Sequence, residues 1–131
     1  MKQISSSKRL IVKIGSSLIM DNSITEVRRG WLESLACDIL SAKERGSDVI
    51  LVSSGAIAIG RSLLKLKSIN LSLEESQAAA AVGQIKLSQV YEDALAPLGI
   101  MTAQVLLSLE DSENRRRYLN SRTTLNKLLS L

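Results

Sequence analysis

Residues Val49 to Gly60 pass without interruption from a β-branched apolar run, through Ser53, Ser54 and Gly55, into small helix formers. No other stretch constrains the fold as strongly, because this order reads as strand, tight turn and helix. Val49 to Val52 shows no polar alternation, as expected of a strand buried on both faces of a parallel sheet. Ser53, Ser54 and Gly55 then fall at the carboxyl end of that strand, where open α/β sheets bind ligands. A helix beginning at Gly55 or Ala56 aims its free N–H groups and positive dipole end at the space above Ser54, which suits an anion.

Arg9 to Ser17 is a second unit of the same kind. Leu10, Ile11, Val12 and Ile14 make a strand, and Gly15, Ser16 and Ser17 make a turn. Lys13 is the irregular residue, since a charge inside an apolar strand is costly to bury without an anionic partner. Two readings stand: Lys13 snorkels at the strand end, or it sits at the carboxyl edge beside Gly-Ser amides to neutralise phosphate oxygens. Between the two strands, Ser23 and Glu26 match a capping box that predicts a helix from near Thr25. Val27, Trp31, Leu35 and Ile39 give that helix a buried stripe, and Gly46 stops it before a strand at Asp48 to Val52. Strand, helix and strand form a βαβ unit of a parallel sheet.

Beyond it, a helix is expected over Ala56 to Leu64 and a linker over Lys65 to Leu71. Ser72 and Glu75 form a further capping box, opening a helix with an Ala78–Ala81 run. Its apolar stripe runs through Leu87, Val90, Tyr91, Ala94, Leu95 and Leu98. Gly83 inside this helix costs up to about 1 kcal/mol relative to Ala, which points to close approach by another element or to simple crowding in a core. Pro97 and Gly99 end the helix, Ile100 to Leu106 is a third strand candidate, and about Ser112 to Leu131 reads as helix closing on Leu125, Leu128, Leu129 and Leu131. The expected class is α/β, a parallel open sheet with helices on both faces, with a polar tail over residues 1–8 and the domain over 9–131. Three parallel strands leave an exposed edge and a helix without its next strand. The missing strands are therefore expected from other chains or from a longer domain.

Composition excludes several functions. With 131 residues and 45% hydrophobic content the chain suits one compact domain, not disorder. The single Cys37 cannot form an internal disulfide, lies off the helical stripe, and has no His in the chain to activate it. A lone thiol fits a reducing cytoplasm. No apolar run approaches the roughly 20 residues needed to span a bilayer, and the Ser-rich start lacks a secretory apolar region. The net charge of +4 and the run Arg115-Arg116-Arg117 could suit nucleic acid. However, Glu110, Asp111 and Glu113 lie beside the run, and Trp31, Tyr91 and Tyr118 form no stacking platform. Neither a G-x-x-x-x-G-K-[ST] loop nor a G-x-G-x-x-G fingerprint occurs.

Four segments together resemble the amino acid kinase family: Val12 to Ser17, Val52 to Gly60, Ala80 to Gln84, and Leu119 to Leu125. Within it they are most similar to the members that phosphorylate glutamate, and the likeness runs from Arg9 onward. The Ser-Ser-Gly-Ala turn separates the chain from acetylglutamate and uridylate kinases, which carry a Gly-Gly-Gly-like turn there; the Lys-Phe-Gly-Gly-Thr opening of aspartokinases is absent. The resemblance implies an αβα sandwich and ATP-dependent phosphorylation of the γ-carboxylate of L-glutamate, the first step towards proline. It makes Lys13 the catalytic residue, with Lys13, Gly15, Ser16 and Ser17 on the ATP phosphates. Ser54, Gly55 and Ala56 would hold glutamate. Mg²⁺ is implied only through ATP, with no metal site in the protein, and the full-length form is implied to be a homo-oligomer acting on L-glutamate and ATP without nucleic acid or membrane. Family members continue into an Asn-Glu-Asn-Asp-like strand and a lobe holding the nucleotide base and a second lysine. The 131 residues alone are therefore expected to form no γ-glutamyl phosphate. Two alternatives remain: another carboxylate or carbamate kinase of this fold, and a non-catalytic oligomerisation or interaction module.

Overall fold

The computed structural model describes residues 4–21, 26–68 and 70–131. At its centre β1 (Arg9–Ile14) and β4 (Asp48–Ser53) pair in parallel, with Arg9 opposite Asp48, Lys13 opposite Val52 and Ile14 opposite Ser53. Between them run α1 (Ser16–Ile19), the two-residue strands β2 (Met20–Asp21) and β3 (Glu26–Val27), and α2 (Arg29–Glu44). Gly46 ends α2 at φ +83°, a left-handed conformation that glycine adopts without strain.

Two features of this connection differ from the sequence expectation. Residues Ser23 and Thr25 lie outside the described residues, and Glu26 and Val27 pair antiparallel with Asp21 and Met20 rather than opening a helix. The Arg28 N–H donates to the Ile19 carbonyl at 2.8 Å, so the ladder occupies the backbone that a cap at Ser23 would have turned into helix. Tertiary pairing here overrides a local signal. The buried row of α2 keeps Ile39 but otherwise runs through Leu32, Ala36 and Ala42, with Trp31 and Leu35 half-buried at its margin. Ala36 and Ile39 pack with Val49 and Leu51 of the sheet and Leu95 and Leu98 beyond, which places this row deepest.

β4 is followed by α3 (Ala56–Leu63) and α4 (Leu73–Leu95). The α4 capping box forms as read from the sequence: the Glu75 N–H donates to Ser72 Oγ at 3.2 Å and the Ser72 N–H to Glu75 Oε2 at 2.9 Å. Gly83 is a close approach. A Cβ there would stand 2.6 Å from the Gly60 nitrogen and inside the Ala56 carbonyl oxygen, and one at Gly60 would stand 2.6 Å from the Ala79 carbonyl carbon. The two helices meet backbone to backbone.

Val12, Ile14 and Leu51 face this helical layer, joining Ile19, Met20, Ile59 and Leu87 in the core. By strand alternation Arg9, Ile11, Lys13, Ile50 and Val52 face the other way. That outer face is covered only in part, by α5 (Leu109–Glu113) and α6 (Arg115–Ser130), which leave a cavity of about 290 Å³ over Ile50. Arg9 reaches Asp48 at 2.9 Å and Asn126 Oδ1 at 3.3 Å there. Burial on both faces is thus not realised: Ile11 is 67% and Val52 49% exposed.

Ile100 to Leu106 is not a strand. Ile100 is buried and closes the end of α4, where Gly99 turns at φ +72°, but Met101 is 96% and Leu106 71% exposed. An extended segment becomes strand only when a neighbour satisfies its N–H and C=O groups, and residues 101–107 pair with no strand among the described residues. The observed parallel sheet therefore has two strands among the described residues. The terminal helical segment divides at Asn114, whose side-chain oxygen accepts the N–H groups of Arg116 at 3.1 Å and Arg117 at 3.2 Å. It closes on Leu125 and Leu129, whereas Leu128 and Leu131 are exposed.

Candidate functional site

The parallel register brings the carboxyl ends of β1 and β4 together. Ile14 lies opposite Ser53, and the Ser54 N–H donates to the Ile14 carbonyl at 3.4 Å. Gly15–Ser17 and Ser54–Ala56 consequently leave the sheet side by side. Gly15 is extended at φ −74° and ψ 153°, and Ser16 and Ser17 form the first residues of the single-turn α1.

Ser54 is exposed at the rim, while Gly55 beneath it is buried. Gly55 is the N-cap of α3 and brings no side chain to its first turn, so the amide groups of that turn lack intrahelical acceptors. A Cβ on Gly55 would stand 3.0 Å from Ile19 Cδ1 and 3.5 Å from Leu87 Cδ1. The turn is therefore pressed onto the core from below. Lys13, opposite Val52, is exposed on the outer face, so no burial cost arises and its ammonium stands in water at the edge of the same carboxyl end.

Tyr91 was not legible as part of this region and reads from the sequence only as one member of an apolar stripe. Its phenol donates to Ser53 Oγ at 3.1 Å, reaching across from α4 to the last residue of β4. The ring is half-buried against the core, and burial raises the phenol above the ordinary tyrosine value, with the bond to Ser53 pulling in the opposite direction. The signal that could have found it is general: a Tyr on a buried stripe needs a partner for its hydroxyl.

Chemically, the region offers the Lys13 ammonium, the hydroxyls of Ser16, Ser17, Ser53, Ser54 and Tyr91, and the first-turn amides of α3. Such a donor set matches oxyanions. Among the described residues no group of three or more His, Cys, Asp or Glu could hold a metal ion, and no helix is long and apolar enough to cross a membrane. Cys37 is exposed on α2. Arg117 pairs with Glu110 at 2.9 Å, so part of the basic run is matched by its acidic neighbours.

The chain is 59% identical over 131 residues to a glutamate 5-kinase of Ruegeria sp. (strain TM1040), covering 100% of this chain and 36% of that protein. It is 61% identical to the glutamate 5-kinase of Paramagnetospirillum magneticum, covering 100% of this chain and 35% of the relative. Against that of Cereibacter sphaeroides it is 60% identical over 128 residues, covering 98% and 34% respectively. The chain thus spans about a third of the length of these curated relatives. Residues 8–131 match the description of the amino acid kinase family, to which this chain therefore belongs.

Proposed function

We propose that this chain supplies the glutamate side and the phosphate side of a site that transfers the γ-phosphoryl group of ATP to the γ-carboxylate of L-glutamate. The observation that carries the reading is the adjacency of the β1 and β4 carboxyl ends, which sets Lys13 and Gly15–Ser17 next to Ser54–Ala56. A γ-carboxylate oxygen attacks the γ-phosphorus, the bond to the β–γ bridging oxygen breaks, and ADP leaves with that electron pair. The nucleophile is already anionic, so the protein needs no general base. Its task is positioning and charge neutralisation.

In this reading Lys13 is the catalytic residue and stabilises the charge on the transferred group. Gly15, Ser16 and Ser17 contact the ATP phosphates through amides and hydroxyls. Ser54, Gly55 and Ala56 hold glutamate at the start of α3. Mg²⁺ enters with the nucleotide, since the donors present suit phosphate oxygens rather than a cation. The full-length protein acts in the cytoplasm, in the first step towards proline, as a homo-oligomer.

The test is a hybrid in which residues 1–131 replace the matching segment of the Ruegeria sp. relative, assayed by trapping γ-glutamyl phosphate with hydroxylamine. Lys13→Ala should lower kcat about a hundredfold or more, and Ser54→Ala should raise KM for L-glutamate about tenfold with a smaller effect on KM for ATP. A hybrid that prefers carbamate or another acid, or that ignores both substitutions, would overturn the reading.

A further inference from the structure

The residues of α4 that meet α3 and the Ser54 turn before it recur every four positions. Ala79 meets Gly60, Gly83 meets the Ala56 carbonyl, Leu87 lies under Gly55, and the Tyr91 hydroxyl bonds to Ser53. Four-residue spacing places them in one row along a helix face, and the row meets Gly60, Ala56, Gly55 and Ser53 in descending order. Three of these contacts are apolar or steric, and each fixes how close the backbones come. Tyr91 adds the directional one, at the point where β4 ends and the turn begins. Ser53 is also the residue whose strand partner, Ile14, accepts the Ser54 N–H, so pinning Ser53 orients the peptide that carries Ser54.

We propose that Tyr91 is a positioning residue of the glutamate site: its hydrogen bond to Ser53 holds the end of β4 so that Ser54 and Gly55 meet the substrate in a fixed orientation. The inference rests on the glutamate-binding reading of the turn. Tyr91 does not touch the substrate in this scheme; it acts through Ser53.

Two measurements test it. In the 131-residue chain, hydrogen exchange by NMR compares Tyr91→Phe, Ser53→Ala and the double variant with the parent. Each single variant should speed exchange of the Ser54 amide about tenfold while Leu32 and Ala36 on α2 change less than about twofold, and the double variant should add little to either. No change at Ser54, or an equal change throughout the chain, would refute the tie. In the hybrid kinase, Tyr91→Phe should raise KM for L-glutamate several-fold, leaving kcat and KM for ATP within about twofold. Equal rises in both KM values, or none, would overturn the positioning role while leaving the glutamate reading intact. A hybrid without glutamate-dependent activity even with Tyr91 present would instead overturn the glutamate reading, and with it the substrate-directed part of this inference. The exchange data would still decide whether Tyr91 fixes the turn.

Discussion

At Gly83 a Cβ would stand 2.6 Å from the Gly60 nitrogen, and at Gly60 it would stand 2.9 Å from the Ala79 Cα. Both obstacles are backbone, which cannot rotate aside as a flexible side chain could, so either glycine to alanine change forces α3 and α4 apart. Gly83→Ala and Gly60→Ala should each destabilise the fold by about 3 kcal/mol, read as a lower urea midpoint. Gly15 makes the contrasting case: nothing lies within 4 Å of a Cβ placed there, and its φ of −74° suits any residue. Gly15→Ala should leave the urea midpoint unchanged within about 0.5 kcal/mol, so any loss of ATP affinity in the hybrid would report backbone approach to phosphate rather than folding. Sequence reasoning could flag Gly83, because an interior helical glycine is costly without a reason. It could not give the partner, since the partner is a carbonyl belonging to another helix. Tyr91 was hidden for a similar cause: its ring satisfies the apolar period, and only three-dimensional placement reveals what its hydroxyl meets.

At the scale of elements, local signals with both halves in one segment were the readable ones. Ser72 and Glu75 cap α4 reciprocally, and Ser72→Ala should cost about 1 kcal/mol of stability by urea unfolding. Ser23 and Glu26 carry the same spacing, yet Glu26 lies in a strand pair. The difference is competition, because β2 offers Glu26 and Val27 a ladder that nothing offers the start of α4. α5 gives an element with a pH response. The Ser108 N–H and hydroxyl both donate to Asp111 Oδ2 at 2.7 Å, and with the nearby Arg117 they hold that carboxyl below the usual aspartate range. A lowered folded pKa means the stabilisation is complete above the ordinary aspartate value of about 4 and is lost as pH falls through the folded value. Amides of Leu109 to Glu113 should thus lose protection in strongly acid solution, and Asp111→Asn should abolish most of that pH dependence.

For the whole molecule, the βαβ logic and the helical layer were legible because each rests on periodicity within a segment. The number of strands was not. Apolar content alone marked Ile100 to Leu106 as strand, but whether such a segment pairs depends on a neighbour's presence at the sheet edge, which no local pattern encodes. Hydrogen exchange should separate the two classes: amides of residues 101–107 should exchange at nearly the unfolded rate, while those near Gly83 and Leu87 in α4 should be the slowest in the chain. Protection of 101–107 in the hybrid but not in the 131-residue chain would show that this stretch finds its partner in the longer protein. The backbone contact between α3 and α4 also bears on the order in which the molecule assembles. These helices are joined by a short linker, whereas Arg9 and Asp48 meet across 39 positions, and near contacts cost less loop entropy to form than distant ones. The pair α3–α4 should form ahead of the sheet, so that Gly83→Ala slows refolding while a substitution on the outer face of β1, such as Ile11→Val, mainly speeds unfolding. The helical contact at Gly60 and Gly83 is then in place before the strand that carries Lys13 arrives beside the Ser54 turn.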